Sequence, residues 1–553
     1  MITAAIKPNC FQDSVSLMII SKKLSSMNCV EQVSVMMGTP ANKELLKNTG
    51  LWHDIFNNAT PNDICISINT KEHNDSIIVE VEKALDQELT NLANHSKGKT
   101  LPTVRSWTRA TKIFPQANIA LISIAGEYAA DTAHQALDKG LNVMLFSDNI
   151  PLEQERQLKL KAKENNLIVM GPDCGTSIIA GIPLAFANRV PEGCIGIVGA
   201  SGTGIQELCS QIVLQGEGIS HALGLGGRDL SEEIGGISAE IALDMLNQDT
   251  KTKVIAFVSK PPSPSVKEKI IQKMQSLTKP VIAIFLGHRP TQQNLGNGVE
   301  LAYTLDEAAK KAVMLAKIQR IITSQKTSLY QGKIYGLYTG GTLATECAIL
   351  MAEALNLQVD NSHHQGIMLN AKGHMIIDLG DDFYTLGRPH PMIDPSTRTD
   401  QIEKLKDTEF SILLVDIVLG FGGHIDPAGA ITQAIIRLRQ QRQQDFIVIA
   451  TITGTDQDPQ SRQKQIQILN EAEIIIANNI REAVELAVGL IHTKPQDQIS
   501  KTNTLLKQPK IINIGLNNFA QDLLNCQAEA IHFRWAPIAG GNQKMIELLA
   551  KLS

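Results

Sequence analysis

The order of apolar and polar positions divides the chain into segments with different periods. Asn118 to Ala125, Cys194 to Gly199, Val254 to Val258, Val281 to Phe285, Ile334 to Tyr338, Ile412 to Ile417 and Ile447 to Thr451 are short, nearly unbroken apolar runs. Runs of this length, rich in Val and Ile, read as strands buried on both faces. Between them lie longer stretches with helical spacing: Ala129 to Lys139, Leu152 to Asn165, Ile205 to Gln215, Leu305 to Ile322 and Leu343 to Leu355. Asn142 to Phe146, Ile168 to Met170, Ala222 to Gly226 and Ile474 to Ala477 add further strands. Strands alternating with helices predict parallel sheets with right-handed crossovers.

The ends of the chain have their own patterns. Ile2 to Ile6, Val30 to Met36 and Asp63 to Asn69 read as strands, and Ser14 to Leu24 and Asp75 to Leu92 as helices, with Ile77, Val81 and Leu85 on one face. Lys510 to Ser553 reads as a last βαβ-like piece. Polar stretches at Asn94 to Pro102, Thr323 to Gln331 and Thr493 to Thr504 read as linkers. The expected architecture is α/β, with tandem doubly wound parallel-sheet domains flanked by small α/β units. Its segments are an N-terminal unit at 1–100, a Rossmann-like domain at 115–190, two flavodoxin-like domains at 191–328 and 332–492, and a C-terminal unit at 509–553.

Composition narrows the function classes. Aromatics are 4% of the 553 residues, and Lys plus Arg (51) is close to Asp plus Glu (56), so neither base-stacking platforms nor a basic stripe for nucleic acid is expected. No run of about 18 apolar residues is present, so no membrane span is expected. The start, Met1 to Pro8, lacks the pattern of a secretory signal, and the expected location is the cytoplasm. The eight cysteines form no CxxC pair, which reads as buried reduced thiols rather than a zinc or disulfide framework.

Candidate chemistry sits where strands empty into glycines. In Ile195 to Glu207 the turn Ala200-Ser201-Gly202-Thr203-Gly204 opens a helix. The first amides of a helix lack internal partners and carry partial positive charge, which attracts an anion, and Ser201 or Thr203 can cap the helix or bind a phosphate. The turn has no lysine, unlike a nucleotide-triphosphate loop. Gly340-Gly341-Thr342 and Gly420 to Gly429, with Gly422 and Gly423, repeat the theme. The loop Asp378 to Pro395 gathers Asp378, Asp381, Asp382, Arg388, His390 and Asp394. Arg388 suits a bidentate carboxylate clamp, and His390, fixed between prolines, suits a proton donor or acceptor. Hard oxygen ligands here are also compatible with a divalent metal. Gly287-His288-Arg289-Pro290 and Trp535 to Asn542 are further strand-end candidates.

Gly171 to Thr176, Ser201-Gly202-Thr203 with Glu207, Gly224 to Gly227 and Glu233 to Gly236 fall in the order seen in the succinyl-CoA synthetase α subunit. Ile412 to Asp426, then Ala450 to Thr455, resembles the C-terminal domain of its β subunit. With the Gly387 to Pro395 loop and Asn513 to Gly541, nearly the whole chain resembles the FdrA family. Two departures from the synthetase stand out. Asn294 to Glu300, where the synthetase carries its phosphohistidine, has no histidine, and no ATP-grasp segment precedes the β-like half.

The resemblance implies a CoA-binding-type domain at 115–190, synthetase-type domains at 191–328 and 332–492, and a subunit that works with two others. The implied activity is oxamate carbamoyltransferase, exchanging oxalurate plus phosphate with oxamate plus carbamoyl phosphate in anaerobic allantoin degradation. CoA ligation with a nucleotide-binding partner, or a CoA- or anion-sensing scaffold, are the other implied roles. The phosphate is expected between two opposed helix starts, one at Ser201 and one at Gly422 and Gly423.

Overall fold

The computed structural model describes residues 2–12, 14–27, 30–70, 76–94, 101–287, 289–324, 329–358, 364–492 and 503–537. His288, most of the three expected linkers and the Gly540-Gly541-Asn542 motif lie outside them. Two compact units are present: Met1–Val313 together with Gln498–Ser553, and Met314–Asp497.

The first unit holds three sheets. Strands Ile2–Lys7 and Gln32–Met37 flank Ile64–Asn69, all antiparallel. Alternation along the central strand separates two faces. Ile64, Ile66 and Ile68 pack with Leu17 and Ile20 of the helix Ser14–Leu24 and Val81 and Leu85 of Ser76–Asn94. Cys65 points the other way, to Leu46 and Phe56.

The second sheet is wholly parallel, in the order Thr103–Val104, Glu529–Phe533, Lys510–Gly515, Ile119–Ser123, Asn142–Leu145 and Val169–Met170. This corrects the expectation of a separate C-terminal unit at 509–553. The strand–helix–strand piece forms, but Lys510–Gly515 lies beside Ile119–Ser123, so both strands belong to the sheet begun near residue 103. The physical reason is burial: Ile511, Ile512 and Ile514 are inaccessible to solvent and need a covered sheet on both faces.

The third sheet has eight strands, with five parallel ones at its centre: Val299–Ala302, Val281–Phe285, Val254–Ser259, Glu192–Gly199 and Ile219–Gly224. Each edge is closed by an antiparallel pairing, Asn294–Gly296 on one side and the hairpin Thr176–Ile179 with Ile182–Ala185 on the other. That hairpin lies before residue 190, so the sheet starts earlier than the expected boundary.

In the second unit a six-stranded sheet runs Ile367–Ala371, His374–Asp378, Ile334–Tyr338, Ile412–Val418, Ile447–Thr453, Ile475–Ala477. Only the first pair is antiparallel. Helices Gly341–Leu355 and Ile480–His492 cover one face, and Pro427–Gln441 covers the other. No described helix is long and apolar enough to cross a membrane.

Candidate functional site

In the first unit, strand Glu192–Gly199 runs into the helix Gly202–Leu214 through Ala200 and Ser201. Ser201 is the N-cap, and its hydroxyl accepts from the Gly204 amide at 3.2 Å. The Gly202 and Thr203 amides have no partner among the described residues, so two donors at a positive helix end remain for an anion. A side chain at Gly202 would stand 3.2 Å from the Thr176 hydroxyl, which itself donates to the Phe186 carbonyl. The expected strand–turn–helix start is thus present, half-buried, and bounded by the edge hairpin.

In the same unit, Lys159, Glu155 and Asp229 form a fully buried ion cluster. Lys159 Nζ lies 2.7 Å from Asp229 and 2.9 Å from Glu155, whose other oxygen meets Arg228 at 2.8 Å. Asp229 also accepts from the Ser238 and Ala239 amides at the start of Ile237–Gln248. These contacts fix the Gly224 to Gly227 loop, since Lys159 also donates to the Leu225 carbonyl.

In the second unit, strand Ile334–Tyr338 ends at Thr339, and Gly340 is the N-cap of Gly341–Leu355. Asp416, fully buried on the neighbouring strand, accepts from the Thr339 amide, the Thr339 hydroxyl and the Gly340 amide at 3.0–3.1 Å. Its charge is balanced by Arg398, buried, with Nη2 at 2.8 Å from Asp416 and 2.9 Å from the Leu337 carbonyl. The next amides, Gly341 and Thr342, have no partner among the described residues.

Asp378 sits against this helix start. A Cβ on Gly341 would lie 2.7 Å from Asp378 Oδ2, which is why no larger residue fits unless the carboxylate moves. A Cβ on Gly380 would lie 2.9 Å from His390 Nε2 and 3.0 Å from Asp378 Oδ1, so the histidine and the carboxylate flank the same glycine. His390 Nδ1 accepts from the Met392 amide at 3.2 Å, which places the proton of the neutral ring on Nε2, the atom nearest Gly380. Burial pushes Asp378 above the ordinary carboxylate range, against the opposing hydrogen bond from the Gly380 amide. Asp378 therefore stands against both Gly341 and Gly380, and His390 against Gly380.

One expectation is corrected, at Gly422 and Gly423. Arg388 is exposed, with Asp400 at 3.7 Å; the buried guanidinium of this region is Arg398. Gly422 and Gly423 do not start a helix. They form a turn in which Gly423 N donates to Gly420 O, with Gln460 clamping Gly420 and His424. The helix begins at Pro427, which has no N–H; the Ala428 amide is taken by Gln465 and the Gly429 amide by the N-cap Asp426. Its first donors are used internally, so it offers no anion site. Nor do the loop aspartates gather round a metal. Asp378 accepts from Gly380 and Asp381 caps Phe383, and no group of three potential ligands occurs among the described residues.

A cleft of about 10 Å³, about room for one water, is lined by Thr339, Met392, Pro395, Arg398, His424 and Pro427. It joins the Thr339 turn, the proline-stiffened loop and the approach to Pro427–Gln441. Arg398, Asp416 and His424 were not singled out from sequence. Asp416 had a signal: it is the one charge in the apolar run Ile412–Val418.

In the hairpin that stands where the synthetase resemblance puts a phosphohistidine, Asn294–Gly296 pairs with Val299–Ala302 across a turn at Asn297 and Gly298, both at positive φ. No histidine is within it.

These features define an α/β protein of the CoA-ligase type. Residues 337–490 match the CoA-ligase family model, and residues 192–287 match the CoA binding domain model. The latter falls on the segment expected to be ligase-like rather than on 115–190. Residues 1–103 match the model described as AllF, heavy metal-associated domain.

The chain is 40% identical over 500 residues to YahF of Escherichia coli K12, an uncharacterized protein, covering 86% of this chain and 95% of that one. It belongs to that family, an FdrA/AllF-like group built on succinyl-CoA synthetase-like domains. It is also 27% identical over 186 residues to succinate–CoA ligase subunit alpha 1 of Archaeoglobus fulgidus, covering 33% of this chain and 62% of that subunit. To the malate–CoA ligase subunit alpha of Methylorubrum extorquens it is 28% identical over 209 residues, 36% and 69% of the two chains. Among solved structures, the dinucleotide-forming acetyl-coenzyme A synthetase 1 of Ca. Korarchaeum cryptofilum matches with a TM-score of 0.46 and 14% identity, over 74% of this chain and 85% of that one.

Proposed function

We propose that this chain is a subunit of an oxamate carbamoyltransferase that interconverts oxalurate plus phosphate with oxamate plus carbamoyl phosphate. The observation that carries the reading is the grouping of the Gly341 and Thr342 amides, unpaired among the described residues, with Asp378 and His390 in the second unit. Amides and a helix dipole suit a phosphate, and an Nε2–H beside a buried carboxylate suits a proton donor. In the forward direction a phosphate oxygen bonds to the carbamoyl carbon of oxalurate while the carbon–nitrogen bond to oxamate breaks. The departing nitrogen takes its proton from His390 Nε2. Gly340, with its amide on Asp416, sets the approach of the helix start. Arg388 is the candidate for the oxamate carboxylate, since its exposed 3.7 Å pair with Asp400 is weak enough to be exchanged. In the first unit Ser201, Gly202 and Thr203 provide a second phosphate-binding position.

The other reading is acyl-CoA ligation with a nucleotide-binding partner, favoured by the CoA-ligase match at 337–490. The histidine-free hairpin at Asn294–Ala302 supports the transferase, because it leaves this chain no residue there for a phosphohistidine relay.

The test uses the chain co-purified with the products of neighbouring genes. Carbamoyl phosphate formed from oxalurate and phosphate supports the transferase, as does its loss by about 10²–10⁴-fold in His390→Gln. Ser201→Asp should also abolish phosphate-dependent turnover. An intact complex that makes acyl-CoA from acid, CoA and ATP, and no carbamoyl phosphate, overturns it.

A further inference from the structure

The N-terminal match to a heavy metal-associated domain raises a question that its residues answer. A soft-metal site needs two or more thiolate or imidazole ligands converging on one point. The loop between Ile2–Lys7 and Ser14–Leu24 contains one cysteine, Cys10, among Pro8, Asn9, Phe11 and Gln12. Burial pushes its thiol up, toward the protonated form that does not ligate. Cys65 cannot join it, because it belongs to the opposite face of the sheet. No cluster of potential ligands occurs among the described residues. The residues described here do not fit a metal.

The same loop is instead fixed and aimed. Asp63 accepts from the Asn9 amide at 2.8 Å and from the Thr60 amide and hydroxyl at 2.7 Å, which holds the loop to the end of the central strand. Phe11 then meets Trp535 edge-to-face, ring centroids 5.4 Å apart, and Trp535 lies 5.1 Å from Tyr128. Trp535 follows the strand Glu529–Phe533, and Tyr128 is in the first turn of Gly126–Asp138, which follows Ile119–Ser123. Both lie at the carboxyl ends of the parallel strands of the six-stranded sheet, the edge where doubly wound sheets receive ligands.

We infer that the N-terminal module is a docking module and not a metal carrier: its first loop seats Phe11 on Trp535, itself packed on Tyr128, and covers the ligand edge of the six-stranded sheet. The function this assigns is control of access to that edge by the module's attachment. The inference is independent of the carbamoyltransferase reading.

The test uses the full chain with Trp52→Phe and Trp107→Phe, leaving Trp535 as the reporter. Phe11→Ala should red-shift Trp535 emission and remove its protection from acrylamide, and Phe11→Tyr should restore both. Unchanged emission and quenching in a folded Phe11→Ala chain overturns the docking. If Phe11→Ala does not fold, Phe11→Leu is read in the same way. The wild-type chain is also titrated with Zn²⁺ and Cu⁺. Binding of neither ion at one equivalent supports the inference, and one equivalent bound tightly and lost in Cys10→Ser overturns it.

Discussion

Removing Arg398 tests the electrostatics of the second unit most directly. Arg398→Met keeps much of the side-chain volume but leaves Asp416 buried, still accepting from Thr339 and Gly340, with no cation at 2.8 Å. Breaking a buried pair by deleting one partner costs about 3–5 kcal/mol. In a unit of this size that lowers Tm by about 6–20 °C. All three tryptophans lie outside Met314–Asp497, so the assay is urea unfolding followed by far-UV circular dichroism, with calorimetry alongside. Asp416→Leu alone should cost a similar amount, because it strands both the guanidinium and the two amides. The double variant should cost less than the two together, with a coupling of about 1–3 kcal/mol. It should not return to wild type, since the Thr339 and Gly340 amides stay unpaired at about 1–3 kcal/mol each. A loss below about 1 kcal/mol for Arg398→Met, within the range of an exposed pair, would refute the reasoning.

Three other outcomes follow from the same geometry. Gly341→Ala drives a methyl to 2.7 Å from Asp378 Oδ2, so it should displace the carboxylate and cost about 1–3 kcal/mol despite alanine's better helix propensity, read by urea unfolding and by turnover of the assembled complex. Burial holds Asp378 above the ordinary carboxylate range, so the folded chain retains a proton that the unfolded chain has released. Stability therefore falls as pH rises through that window; Asp378→Asn should be the more stable protein above it and lose its advantage below it, as measured by Tm against pH. The thiols of Cys174, Cys209 and Cys347 are pushed up by burial to about 11, 12 and 12. They should resist a thiol-disulfide reagent at pH 8 until the chain is unfolded, checked by mass mapping of the modified peptides.

The parallel strands were legible because a strand covered on both faces has little choice but to be apolar throughout, as in Ile119–Ser123 and Val254–Ser259. The Ser201 helix start was legible because capping chemistry is local. Pairing is not local. Lys510–Gly515 lies beside Ile119–Ser123 because of a covered edge some 390 positions away, which the spacing of its own side chains does not encode. The edge hairpins at Thr176–Ala185 and Ile367–Asp378 are short and partly exposed, so their alternation is weak. The glycines at 422 and 423 misled for a related reason. A glycine turn and a helix start have the same composition, and only the proline at 427 and the cap at Asp426 separate them. Arg398 was invisible because nothing near Ser396–Lys404 marks it as the counter-charge of a strand residue.

The interleaved six-stranded sheet sets an order of events during synthesis. Ile119–Ser123 leaves the ribosome early, yet its neighbour Lys510–Gly515 is made only after the whole of Met314–Asp497. At 5–20 residues per second, a delay on the order of tens of seconds separates them. Through that interval an apolar strand edge stands open to pairing with other nascent chains. A chain cut after the second unit would hold that edge open permanently, so Lys510–Gly515 and Glu529–Phe533 serve as the closing strands of an early domain, and their loss should appear as aggregation.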